Sequence, residues 1–482
     1  MTSAGVADAV SSPPALGRGD RTVIAVLLVA TFVVVLNETI MGVALPVLLT
    51  ELDVTAAVGQ WLTAGFLLTM SVVIPITGYL IQRVPTRVLY GVAMSLFSTG
   101  TLIAALAPGF VVLLAGRVVQ ACGTAIMLPL LMTTVMTLVP AARRGALMGN
   151  ISIVISVAPA IGPTVSGVVL DLFGWRAMFW VVLPISVATL VLGLRRVTRV
   201  GETRDTPLDV VSVVLSVIGF GGLVYGLSGI GHAGGSSSVT TWGSLAAGVL
   251  GIGLFVFRQI SLQRHERALL DLRTFGFRTF TLSSGLMMVM MALLLGVATI
   301  LPIYLQNVLK LEPLATGLLL LPGGLLMGLL SPVVGRLYDR VGPRLLLVVG
   351  TVATSGSLWF AATFDASTPT AQVLVFHLAL SLGLAFSFTP LFSSGLGALP
   401  ARLYSHGSAI FSTTQQLAAA AGVALLVSVM SARTAALAEA GGPGTAADMG
   451  GMHTAFLMAA ILSLVTVVGA FAIGKGKAVS PE

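Results

Sequence analysis

The sequence predicts an all-α integral membrane protein of fourteen spanning helices, two six-helix halves with a helix pair inserted between them. Three observations carry this expectation. The 482 residues are 56% hydrophobic and 9% charged, with a mean hydropathy of +1.04, whereas soluble domains carry about 25% charged residues. Apolar stretches of about 20 residues, the length that crosses hydrocarbon, recur along the whole chain. Finally, a ten-residue pattern occurs twice, at Gly78–Arg87 and Gly335–Arg344, 257 residues apart. Repeated halves imply that a site forms where they meet.

The predicted spans are 23–45, 58–80, 88–106, 110–137, 147–169, 177–194, 208–229, 241–257, 279–304, 314–337, 344–363, 370–396, 408–430 and 453–473. Breakers separate most of them: Val84-Pro85, Ala107-Pro108-Gly109, Val139-Pro140, Gly174 and Gly342-Pro343. The segment before the first span, with Ser11-Ser12-Pro13-Pro14, is polar and reads as disordered. The apolar run that follows exceeds a signal-peptide core and holds an acid instead of a cleavage site, so it counts as a membrane helix. The organisation is therefore a tail (1–22), an N-terminal bundle (23–200), an inserted pair (201–262), a C-terminal bundle (263–474) and a second tail (475–482).

Orientation follows from Lys and Arg, which concentrate in cytoplasmic loops. With the N-terminus inside, all 25 basic residues except Arg117, Arg176, Lys310 and Arg433 fall in inside segments. Both termini are then cytoplasmic. Of the 17 acids, only Glu38 falls deep within a span; Asp209 sits at the inner edge of the seventh.

An ionised carboxylate in hydrocarbon is costly, and an intramembrane acid is a functional hypothesis by default. Glu38 lies roughly 22 Å along the first span and Arg117 roughly 10 Å into the oppositely running fourth, so both occupy the outer half of the membrane. Within about 4–6 Å, each would favour the other's charged form. The bland alternatives are a packing acid and an arginine that snorkels to the headgroups.

Other chemistries are absent from the pattern. A single cysteine, Cys122, permits neither disulfides nor a thiolate cluster, and the five histidines lack metal-ligand spacing. His377 reads as a satisfied packing residue. No GxxxxGK[ST] loop exists for ATP, and no nucleophile–base set is seen, so neither an enzyme nor a bound cofactor is expected. The pI near 10.2 reflects loop arginines rather than nucleic-acid binding. Trp61, Phe66 and Met70 in the second span, and Met127 in the fourth, are candidates to line an apolar cavity, with ordinary packing as the alternative. Tyr304 reads as an interfacial anchor.

The repeated loops resemble the loop signature of the major facilitator superfamily: Gly, then Asp-Arg, a second Gly and a basic residue. The second copy, with Gly335, Asp339, Arg340 and Arg344, matches well. The first keeps Gly78, Arg83 and Arg87 but has Gln82 and Pro85. Leu113–Gln120 is similar to the family's fourth-helix motif with its intramembrane arginine. Pro159, Gly162, Pro163 and Gly167 resemble the fifth-helix antiporter motif. Leu36-Asn37-Glu38-Thr39 through Pro46 resembles the first-helix motif of the fourteen-helix drug:proton antiporters, in the Asn-Glu-Thr form of the lincomycin-resistance-type branch. Gly174-Trp175-Arg176 and Tyr304-Leu305-Gln306 fit the same group. Many members carry Asp where this chain has Asn37, and one position rotates the acid about 100° around the helix.

The resemblance implies a proton-driven exporter of hydrophobic or amphipathic, including cationic, drugs, working as a monomer in a bacterial inner membrane. Glu38 would carry the proton, and Arg117 with Asn37 and Gln120 would tune it. The loops would gate, Asp339 pairing with a basic loop of the other half such as Arg143-Arg144. Rival readings are export of an endogenous lipid-like or peptide-like product, and a non-transporting membrane sensor or scaffold.

Overall fold

The structure, a computed structural model, describes residues 17–59, 61–200, 208–230, 239–440 and 444–474. The tails expected at 1–22 and 475–482 lie largely or wholly outside the described residues, as do the connection 201–207 and the turn 231–238. The N-terminal bundle comprises α1 (Arg18–Glu51), α2 (Trp61–Arg83), α3 (Thr86–Ala105), α4 (Phe110–Leu138), α5 (Arg144–Phe173) and α6 (Trp175–Arg196). The inserted pair is α7, from Val210 to Ile230 with a π-turn at Val217–Gly221, and α8 (Val239–Leu262). The C-terminal bundle comprises α9 (Arg278–Ile303), α10 (Pro313–Val341), α11 (Pro343–Ala361), α12 (Thr370–Gly397), α13 (Tyr404–Glu439) and α14 (Gly444–Ala472). Among the described residues, thirteen of these helices are long and apolar enough to cross a membrane. The remaining one, α5, has 30 residues.

Several helices run past the spans the sequence predicts, α1 for 34 residues and α13 for 36. Hydropathy reports only the hydrocarbon-embedded part, whereas the backbone ladder continues through polar turns because each N–H still finds its carbonyl. Gly342 ends α10 and starts α11 at φ 77°, a conformation glycine adopts freely. That is why Gly342-Pro343 is a sharp break.

Packing repeats as the sequence does. In the first half α1 packs on α5, α6 and α4, α3 on α4 and α6, and α2 on α4. In the second, α9 packs on α13, α14 and α12, α11 on α12 and α14, and α10 on α12. Small residues allow these approaches: a Cβ on Gly100 of α3 would meet the Gln120 backbone nitrogen of α4 at 2.4 Å. The halves meet along two counterpart seams, α2 with α13 and α10 with α5. Helix α7 packs on α2 and α13, so the inserted pair flanks one seam only.

Tyr304 corrects an expectation. It is wholly buried, donates to the Asp365 carbonyl at 2.8 Å and stacks on Phe364 with ring centres 5.9 Å apart. The aromatic ring prefers this cluster with Phe376 and Phe456 to the headgroup region. His377 meets the expectation of a satisfied packing residue only at one nitrogen: its Nε2 lies 3.0 Å from the Leu320 carbonyl, while among the described residues its buried Nδ1 has no hydrogen-bond partner.

Candidate functional site

Helix α1 presents Asn37 and Glu38 about 100° apart, and the two meet different surroundings. Asn37 is 2% exposed and faces α4, where its Oδ1 accepts from Arg117 Nη1 at 3.2 Å. The same Nη1 donates to Gln120 Oε1 at 2.7 Å, and Gln120 Nε2 donates to Thr101 Oγ1 of α3 at 2.8 Å. Arg117 and Gln120 share a helix face because they are three residues apart. The guanidinium lies over the Phe66 ring of α2, 4.0 Å from its centre, so side chains of α1, α2 and α4 meet on one cation and α3 joins through Gln120. Arg117 is 1% exposed, yet among the described residues its Nε and Nη2 have no hydrogen-bond partner. A buried donor left open costs free energy, so the arrangement holds spare capacity for an anion.

Glu38 is half-buried, and among the described residues it makes no hydrogen bond and no ion pair. Arg117 is near enough for its charge to act on Glu38. The next residue, Thr39, turns toward α5, its Oγ1 3.4 Å from the Ala158 carbonyl, and Gly162 lies against it. Thus the acid stands between a charged pocket on α4 and a close α1/α5 contact.

The residues expected around a cavity separate. Phe66 and Met70 form a buried cluster with Ile74, Ala121 and Ala125, beside Arg117. Met70 Sδ also receives Gln416 Nε2 of α13 at 3.6 Å, which places it on the seam. Met127 is fully buried within the core. Trp61 is partly exposed and lies against Tyr225 of α7, 5.6 Å between rings. Pro159 and Pro163 belong to α5, but their side chains lie outside the described ones; Gly167 has open space where a Cβ would stand.

The repeated loops bring their glycines to the seams at the Arg-rich face. Asp339 accepts from the backbone N–H groups of Gly145 and Ala146 at 2.8 and 2.9 Å. It therefore caps the first turn of α5 across the seam, where N–H groups are unpaired and the helix dipole favours an anion. The sequence expectation named the side chains of Arg143 and Arg144 here. Arg144 instead donates to the carbonyls of Met136 and Val139 and lies over the Tyr404 ring. Gly335 touches the α5 backbone: a Cβ there would meet the Gly145 carbonyl oxygen at 2.2 Å. At the other seam Gln82 Nε2 donates to the Arg402 carbonyl and Ser405 Oγ, and Gly78 faces Ser405 and Ala409. Arg83, Arg87, Arg340 and Arg344 are exposed at this face.

Sequence reasoning missed Thr101 and the backbone partners Gly145 and Ala146. Nothing in the sequence marks Thr101. Gly145 and Gly149, four apart, do carry a signal, since they meet Ser331 and Gly335, also four apart, a small-xxx-small pattern of close helix crossings.

Comparison with known proteins bears on the chain and its fold. The family model of the Major Facilitator Superfamily matches residues 27–423. The uncharacterized MFS-type transporter YcnB of Bacillus subtilis (strain 168) is 42% identical, covering 94% of this chain and 95% of its own. The lincomycin resistance protein LmrB of the same organism is 40% identical over 92% of this chain and 94% of its own. Among solved structures, the human organic anion transporter MFSD10 (TETRAN) superposes with TM-score 0.65 at 14% identity, covering 95% of this chain and 100% of that one. The proton:xylose symporter XylE does so with TM-score 0.59 at 15% identity, covering 93% and 96%.

Proposed function

The chain belongs to the major facilitator superfamily, and from that premise we propose that it is a proton-coupled antiporter exporting hydrophobic or amphipathic drugs. A transporter of this family is a multi-pass membrane protein and not an enzyme. The finer reading rests on one observation: a half-buried carboxylate, Glu38, beside a buried arginine with two open donors, inside an otherwise apolar membrane region.

The proposed cycle needs only this chain's residues and the proton gradient. Deprotonated Glu38 is held by the Arg117 charge, or by a cationic drug that displaces that interaction. A proton arriving from outside neutralises the carboxylate, and the drug loses its counter-charge and leaves. Neutral Glu38 costs less to hold in a low-dielectric site, so the protein can reorient and give the proton up to the cytoplasm. The Arg-rich face with its capping latch at Asp339 is the cytoplasmic face, as the positive-inside bias implies. The relatives named for lincomycin resistance support a drug as substrate. Both halves lie in one chain, so a monomer suffices, and the bacterial inner membrane is its place.

A second reading, export of a lipid-like or peptide-like product with an anionic group, draws on the same two open Arg117 donors. The test is flux in proteoliposomes with an imposed pH gradient, using lincomycin and a lipophilic dye cation. Accumulation abolished by a protonophore supports the proposal. Uptake that ignores the gradient overturns it.

A further inference from the structure

We infer that the hydroxyls where α4 and α5 meet α12 and α13 bind the substrate on its way from the cytoplasm, and that this substrate presents hydroxyl or amide groups to them. The inference rests on the transporter reading and narrows its substrate class.

Besides the two seams, α4 meets α13 and α12 meets α5. Hydroxyls join the halves directly at both contacts. Thr133 Oγ1 of α4 donates to Ser408 Oγ of α13 at 3.1 Å, and Thr389 Oγ1 of α12 donates to Ser152 Oγ of α5 at 2.9 Å. Thr133 and Ser408 lie about one turn from the Arg-rich ends of their helices, and Thr389 and Ser152 about two. The bridges thus form two layers, on the opposite side of the membrane's middle from Glu38 and Arg117.

Each layer holds a third hydroxyl without a partner. Helices α5 and α13 both start four residues after a proline, Pro140 and Pro400. Counted from these prolines, Ser393 takes the place of Thr133, and Ser412 that of Ser152. The bridges are not duplicated, because Met148 stands where α13 has Ser408, and Pro129 where α12 has Thr389. Ser393 and Ser412 are each 3% exposed, and among the described residues neither Oγ has a hydrogen-bond partner. Both share a helix face with residues that bond across to the N-terminal half. Ser393 is one turn from Thr389, and Ser412 is one turn from both Ser408 and Gln416.

A buried hydroxyl left open costs free energy. Two are left open in a contact that parts when the halves rock, which points to a partner present only in the parted state. Parting also breaks both bridges, so six hydroxyls then line the way in. The stretches 129–137, 148–156, 389–396 and 408–416 contain no acid, arginine, lysine or histidine. The lining therefore recognises by neutral hydrogen bonds, and a site built to make them rejects molecules that lack the matching groups. Charge is met only farther out, at Glu38 and Arg117.

The test is equilibrium binding of two probes to the purified protein. One is radiolabelled lincomycin, which carries several hydroxyls and an amide; the other is tetraphenylphosphonium, a cation with no hydrogen-bonding group. We expect Ser393→Ala and Ser412→Ala each to weaken lincomycin binding about fivefold, and together about 25-fold, with the cation unaffected. Neither variant lowers the melting temperature, because the lost hydroxyl had no partner. Thr133→Val, which breaks a bridge, lowers both the melting temperature and lincomycin binding. Unchanged lincomycin binding in both serine variants, or equal losses for the two probes, overturns the inference. So does a wild type that binds the cation but not lincomycin. These outcomes leave the export proposal standing. A wild type that binds neither probe counts against the export reading itself, and the inference falls with it.

Discussion

Arg117 is bound through one nitrogen and stacked through its plane, which fixes its position while leaving two donors open. A lysine cannot do both, because its ammonium is a point charge without a planar face. Arg117→Lys should therefore fold but lose gradient-driven accumulation by about tenfold or more, equivalent to about 1.4 kcal/mol; full activity would remove Arg117's geometry from the account. Arg117→Ala should also destabilise the protein by about 1–3 kcal/mol, since Asn37 and Gln120 lose their shared donor. Thermal unfolding in detergent measures that loss. At this scale the sequence was legible where charge is scarce: Glu38 and Arg117 stand out against 56% hydrophobic residues. Gln120 followed from the resemblance to the family's fourth-helix motif. Thr101 and the ring of Phe66 under the guanidinium did not, because their meeting depends on how α2, α3 and α4 cross.

Among the elements, the seam helices and the inserted pair carry separate predictions. Gly335 and Gly145 bring backbones into contact, so Gly335→Leu should hold the α5/α10 seam apart and reduce transport by about tenfold or more. Gly78→Ala should be milder, since its nearest neighbour stands at 3.1 Å. Equal losses in the two variants would contradict the asymmetry of the seams. The helix spans were readable because hydropathy measures the hydrocarbon slab. The asymmetry was readable only in part, as Gln82 against Asp339. That Asp339 bonds backbone N–H groups instead of Arg143 or Arg144 required the position of the α5 start. The placement of Trp61 against Tyr225 likewise depends on where α7 docks, which no local pattern encodes.

The clamp of Asp209 on Arg258 has a definite pH signature. Bonds from Arg258 hold the Asp209 carboxyl well below its ordinary value. A folded-state pKa below the unfolded one gives stability that is fully present above the unfolded value, about 4, and is lost as pH falls through the folded value. Asp209→Asn should lower the melting temperature by about 1–3 °C at pH 7. The difference should shrink as pH drops below about 4. A difference independent of pH would mean that packing, not charge, holds α7 to α8.

For the whole molecule, the duplicated packing of two bundles makes a rocking motion about the seams the natural change of state. Six kinds of helix contact recur in both halves, and the seams themselves are exchanged by the same two-fold relation. The internal repeat announced this in the sequence, because Gly78 and Gly335 occupy corresponding loops. The inserted helices break the symmetry by flanking one seam, a placement invisible in a linear chain. The proposed coupling belongs to this scale, since a proton on Glu38 would reach both faces only through that motion.

The most direct test of proton coupling compares wild-type and Glu38→Gln protein in proteoliposomes, measuring drug accumulation under an imposed pH gradient and exchange without one. The account predicts that Glu38→Gln still binds and exchanges substrate but no longer concentrates it. Accumulation by Glu38→Gln at the wild-type level would contradict the account, and coupling would then reside elsewhere in the chain.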